Sequence, residues 1–236
     1  MQVRVKGSAL SVALLWLALI LGHTQEGVAM QVDSSSRGKT LVILGASYAK
    51  GWGTPPLPGY TVVNRGVGGE ETRDMLGRFQ RDVVAAKPDA VLIWGHVNNI
   101  TRSAPDRIAT VKAETRTHYV EMIRLAREAG IDVILATEIP WTEQTGWINE
   151  VRALIGRLRG KQSYAERVTA DVGELNDFVR QLATKERLRV LDFEKLFATD
   201  DGTRRPEFTA EDGSHISVAG YQALTAYSVT QIKTWR

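Results

Sequence analysis

A chain of 236 residues, 43% hydrophobic and 24% charged, has the composition of a soluble globular domain with one sizeable core. The formal net charge of +3 becomes +2 once residues 1–29 are set aside, because Arg4, Lys6 and Glu26 together contribute one unit; nothing in that balance calls for nucleic acid or an anionic membrane surface. The absence of cysteine excludes disulfides, thiol catalysis and a lipidated amino-terminal cysteine.

The chain opens with Arg4 and Lys6, followed by an uncharged apolar run over residues 8–22, short for a membrane-spanning helix. Gly27-Val28-Ala29 places small residues where a signal peptidase cuts, so residues 1–29 read as a signal peptide and the protein as exported, periplasmic or secreted. An uncleaved anchor is the alternative and would be the only membrane contact. Residues 30–39 read as a polar linker, and residues 40–236 as the folded domain.

From Thr40 onward, short apolar runs alternate with longer amphipathic ones, the pattern of parallel strands joined by crossover helices. Strands are expected over 40–44, 61–64, 90–94, 132–139 and 189–193. Their continuous apolarity fits a sheet covered on both faces. Helices are expected over 72–86, 105–129, 145–159, 170–185 and 217–233, with Ser103 capping the second and Gly130 closing it. Between the third and fourth, residues 160–166 read as a polar connection.

In an open parallel sheet, ligands bind beyond the carboxyl ends of the strands, so the residues after each strand matter most. Gly45-Ala46-Ser47-Tyr48 follows the first, Asn64-Arg65-Gly66-Val67-Gly68-Gly69 the second and Gly95-His96-Val97-Asn98-Asn99 the third; Asp212-Gly213-Ser214-His215 precedes the last helix. Each alone also reads as a turn or a helix cap. Together they contain a nucleophile, a base, an acid and amide donors, the parts that acyl transfer requires.

In this order the four pieces resemble the blocks of the SGNH hydrolases, also called GDSL esterases and lipases. Gly45-Ala46-Ser47 is similar to the GDS block and Asn64 to Gly69 to the second; His96-Val97-Asn98-Asn99 is similar to GxND, and Asp212 with His215 to DxxH, continued by Ser217, Gly220 and Tyr221. Ala46, His96 and Asn99 depart from the pattern; the last two either reshape the oxyanion loop or bring an extra polar group, His96, to the substrate. The resemblance implies an α/β fold, a three-layer α/β/α sandwich around a five-stranded parallel sheet of the flavodoxin-like kind.

It also implies Ser47 as nucleophile, His215 as base and Asp212 as the acid that orients the base. The oxyanion donors would be the backbone N–H groups of Ser47 and Gly69, with Gly68 as the alternative, and the Asn98 amide. His23, in the export segment, and His118, in a helix, are read as structural. No cofactor or metal is implied, since the few histidines are scattered and Asp200-Asp201-Gly202 lacks calcium-loop spacing. The nucleophile elbow of the α/β-hydrolases is missing because Ala49 stands where its second glycine belongs.

Trp52, Trp94, Trp141 and Trp147 fall at or after predicted strands, either as core packing or as an aromatic rim that holds an acyl chain or a sugar ring. The expected activity is hydrolysis of a small-molecule, lipid or glycan ester through an acyl-serine intermediate. Two alternatives are an exported O-acyltransferase using the same serine and a catalytically silent glycan- or lipid-binding domain.

Overall fold

The computed structural model of the protein describes residues 38–142 and 163–235. The predicted signal peptide, most of the linker, the helix expected over 145–159 and Trp147 lie outside the described residues. Five parallel strands form one sheet: β1 (Lys39–Gly45), β2 (Tyr60–Gly66), β3 (Ala90–Trp94), β4 (Asp132–Ala136) and β5 (Arg189–Leu191), in the order β2-β1-β3-β4-β5. That order belongs to the flavodoxin-like doubly wound sheets, in which the winding of successive strands across the sheet reverses between β1 and β3 and leaves a crevice at their carboxyl ends.

The central strands β1, β3 and β4 are buried on both faces, as their uninterrupted apolar runs require. Leu41, Ile43, Leu92, Trp94 and Ile134 enter one core with Trp52, Phe193 and Leu224; Val42, Leu44, Val91, Ile93 and Leu135 enter the other with Met75, Phe79, Met122 and Val179. Alternate residues of each strand point to opposite faces, so β1 feeds both cores. At the crevice β1 and β3 come very close: a Cβ on Gly45 would lie 2.2 Å from the Trp94 carbonyl oxygen, a spacing only glycine permits.

The helices are α1 (Ser47–Trp52), α2 (Thr72–Gly77), α3 (Phe79–Asp82), α4 (Val97–Thr101), α5 (Ile108–Glu128), α6 (Tyr164–Glu186), α7 (Phe193–Phe197) and α8 (Val218–Thr234). Several expectations are corrected. The helix expected over 72–86 is broken into α2, α3 and a 3₁₀ turn at Val84–Ala86. The strand expected to reach residue 139 leaves the ladder after Ala136, because β5 pairs only up to Leu191. α6 begins at Tyr164, inside the expected polar connection, where Ser163 and Glu166 form a reciprocal capping box. Ser103 makes no cap: residues 105–107 form a 3₁₀ turn and α5 starts at Ile108. Beyond Ala129, Gly130 closes α5 as expected, with the Ile131 N–H donating to the Ala126 carbonyl at 2.9 Å.

Candidate active site

Four segments that leave the carboxyl ends of β1 to β4 meet the loop before the last helix around one cavity of about 400 Å³, lined by Ser47, Tyr48, Gly68, Gly69, Val97, Asn98, Arg102, Trp141, Ser214 and His215. Residues more than 160 positions apart in the chain thus share one space. Ser47 is the first residue of α1, directly after β1. The Asn64 side chain in β2 fixes this helix, donating to the carbonyls of Ala49 at 2.7 Å and Gly53 at 2.5 Å while accepting from the Gly66 N–H at 2.7 Å.

The glycine turn after β2 is held from below. Val67 N–H donates to the Gly45 carbonyl at 2.9 Å, and buried Arg78 joins the Glu70 carboxylate, 2.6 Å away, to the same carbonyl. Gly69 has φ +81°, so the backbone itself favours glycine, while the nearest group to a Cβ there is the movable guanidinium end of Arg102. The Asn98 amide, in the first turn of α4, spends one N–H on the Glu70 carbonyl at 2.8 Å, which aims the group and leaves the second N–H.

Asp212 does two jobs with its two oxygens. Oδ1 accepts the backbone N–H groups of Ser214 and His215 at 2.9 and 2.8 Å, shaping the turn; Oδ2 lies 2.5 Å from His215 Nδ1. The amide bonds from His215 and Ser214, with the imidazole added, hold the Asp212 carboxyl well below the usual carboxylate range. An ionised carboxylate only accepts, so in the neutral imidazole the ring proton belongs on Nδ1 and Nε2 carries the lone pair. Ser47 makes no direct hydrogen bond to His215 in this structure, although both line the cavity.

Arg204 has no counterpart in the sequence reading, yet it organises the histidine loop. It is 4% exposed and donates to the carbonyls of Pro140 (2.8 Å), Ser214 (2.8 Å) and His215 (3.3 Å) and to the Tyr48 hydroxyl (2.9 Å). Tyr48 in turn donates to the Ser214 carbonyl at 3.0 Å and meets the His215 ring edge-on at 6.1 Å. In sequence, Arg204-Arg205-Pro206 reads as an ordinary solvated basic pair, so no local signal distinguishes it. Replacing Arg204 with alanine strands three carbonyls and should cost about 2–3 kcal/mol in urea denaturation, with kcat/KM falling at least tenfold. Lysine, which lacks the planar fork, is expected to restore neither.

Two residues expected at the substrate are not brought to the cavity. Five residues beyond Ser47, Trp52 is rotated about 140° around α1 and so faces the core, where it packs edge-on against Trp94 and Phe193 and donates to Thr225 Oγ1 at 2.9 Å. His96 is 1% exposed, with Nδ1 3.1 Å from the Tyr119 hydroxyl. Burial pushes its pKa down to about 3, so it is a neutral core histidine. Trp94 is likewise core, whereas Trp141 does line the cavity. His118 hydrogen-bonds Thr72 Oγ1 at 2.9 Å, outside this cavity. Among the described residues no three His, Cys, Asp or Glu side chains form a metal-holding group, and no helix is long and apolar enough to cross a membrane.

A doubly wound parallel sheet with a serine, a carboxylate-bound histidine and an asparagine amide around one cavity beyond its strand ends carries the types of group that acyl transfer uses. Residues 37–223 match the GDSL-like Lipase/Acylhydrolase family, and the chain belongs to that family of ester hydrolases. It is 30% identical over 129 residues to the uncharacterized lipoprotein YqeF of Bacillus subtilis, covering 53% of each chain. It is 43% identical over 47 residues to an acetylxylan esterase of Geobacillus stearothermophilus, covering 20% of this chain and 22% of that one. The matches thus span about half the length of the first relative and about a fifth of the second. Among solved structures, a GDSL-like lipase from Bacteroides thetaiotaomicron superimposes with TM-score 0.64 at 20% identity, covering 83% of this chain and 88% of the other. A catalytic serine-to-alanine mutant of the acetylxylan esterase Axe2 from Geobacillus stearothermophilus gives TM-score 0.61 at 21% identity, covering 83% and 94%. Both share its fold.

Proposed function

We propose that the protein is a serine esterase that removes short acyl groups, acetyl foremost, from a polar ester such as an acylated glycan. The observation that carries this reading is the single cavity on which Ser47, Gly69, Asn98 and His215 converge, with Asp212 bound to the far ring nitrogen. Ser47 Oγ attacks the acyl carbon while His215 Nε2 takes its proton. The oxyanion formed is stabilised by the N–H groups of Ser47 and Gly69 and the free N–H of Asn98. His215 then returns the proton to the leaving alkoxide. A water molecule, deprotonated by the same nitrogen, releases the acid and regenerates Ser47.

A polar alcohol is supported by Arg102, Asn98, Ser214 and His215 on the cavity wall, beside the apolar Val97 and Trp141. The acetylxylan esterases among its relatives support the same choice. The amino-terminal segment and the lipoprotein relative favour an exported enzyme.

The test is hydrolysis of p-nitrophenyl esters from acetate to decanoate, with acetylated xylo-oligosaccharides as the natural-type substrate. Highest kcat/KM on acetate and release of acetate from the sugar are expected; preference for decanoate would point to a lipase instead. Trp141→Ala should raise KM for the acetylated oligosaccharide several-fold, and unchanged KM would remove Trp141 from the binding site. Acyl transfer uses the same serine and would appear as donor loss that depends on an added sugar acceptor, with little free acid. A silent binding domain would turn over no ester at all.

A further inference from the structure

Glu138 is a buried acid that the proposed reaction does not use. It follows β4 by two residues, is 1% exposed, and forms no ion pair among the described residues. Its Oε1 accepts two backbone N–H groups, from His96 at 2.7 Å and Val97 at 3.2 Å. Its own main chain is clamped by buried Asn176 of α6, whose Oδ1 accepts the Glu138 N–H at 2.7 Å and whose Nδ2 donates to the Glu138 carbonyl at 2.8 Å. The acid therefore has a fixed backbone and a fixed acceptor atom.

That atom holds the backbone N–H groups of the two residues that precede Asn98. α4 is a helix of five residues, and the described structure gives it no side-chain cap from its own N-cap residue His96. The orphan N–H groups of a helix start need an acceptor, and here it comes from across the sheet. We propose that Glu138 is a positioning residue for the oxyanion donor Asn98, fixing the His96–Val97 turn so that the Asn98 amide points at the reacting carbonyl oxygen. The proposal rests on the esterase reading for its chemistry. Asn98 itself has one further anchor, the Glu70 carbonyl, so the amide is held from both sides: by its own side chain and by the peptides before it. Oxyanion donors act by being in place before charge develops, and a small misplacement removes much of their effect. Burial raises the pKa of Glu138, opposed by the N–H groups of His96 and Val97 and by the charge of Arg204.

The test is a double-mutant cycle on p-nitrophenyl acetate with the full chain. Glu138→Ala is expected to lower kcat by 10- to 100-fold with KM within twofold. Glu138→Gln, whose amide oxygen accepts the same two N–H groups, should stay within about threefold of the parent. In an Asn98→Ala background, Glu138→Ala should cost less than a further twofold. Losses that multiply in the double variant, a loss confined to KM, or a glutamine variant as poor as alanine would each overturn the proposal. If the alanine variant does not fold, Glu138→Asp withdraws the acceptor by one methylene and should show a smaller loss that again vanishes with Asn98→Ala. A readout without turnover separates this idea from the esterase reading: the Asn98 side-chain amide resonances, assigned by their loss in Asn98→Ala, should shift in Glu138→Asp. Unmoved resonances would overturn the positioning role even if the chain hydrolysed no ester.

Discussion

Ser47→Ala is expected to abolish ester hydrolysis, lowering kcat about a millionfold while leaving the fold intact. The hydroxyl occupies the first position of α1 at the edge of the cavity, and its removal takes no partner from any buried group. Circular dichroism and thermal midpoint should therefore match the parent, which makes the activity loss chemical. Residual activity above about a thousandth of the parent's, in a preparation free of contaminating esterase, would mean that another group or a bound water performs the attack.

Asp212→Asn is the second large effect, about 10,000-fold in kcat near neutral pH, the size seen when a triad acid becomes its amide. The argument depends on which oxygen does what. Asparagine keeps Oδ1 for the Ser214 and His215 N–H groups, so the turn survives. Its NH₂ group, however, replaces the Oδ2 that met the ring at 2.5 Å and would donate to Nδ1, placing the ring proton on Nε2. His215 then has no lone pair for the serine proton. In the parent, the amide bonds keep Asp212 ionised well below the usual carboxylate range, so acidification brings it no proton until then. The acid limb of kcat/KM should accordingly fall with a slope of one. A slope of two, or a variant within tenfold of the parent, would argue against this division of labour.

Much of the architecture was legible because parallel strands buried on both faces must be continuously apolar, and 40–44 and 90–94 match β1 and β3 to within a residue. The strand beginning at Asp132 was read three residues too long, because Thr137, Glu138 and Ile139 continue the buried pattern after the ladder ends. A glutamate just beyond an apolar strand, at the end of the sheet where ligands bind, is the local signal that the ladder stops there. Trp52 and His96 were misassigned for another reason. Position after a strand places a residue near the crevice, but the helical rotation of α1 and the packing of α5 decide whether its side chain faces cavity or core.

The amino-acid sequence by itself determined the alternation of strand and helix, the places where chemistry could sit, and the reactive types in them, since each is written in residues a few positions apart. The meeting of those places was decided only in the folded chain. Strand order and the turns beyond each strand bring Ser47, Gly69, Asn98 and His215 to one cavity. The groups that hold them, Arg204 on the histidine loop, Arg78 beneath the glycine turn and Glu138 behind Asn98, make contacts through hydrogen bonds mostly between distant residues. Such contacts leave no periodic trace in the chain, because a buried arginine or glutamate is spelled like a solvated one and only the tertiary fold supplies the carbonyls and amides that justify its burial.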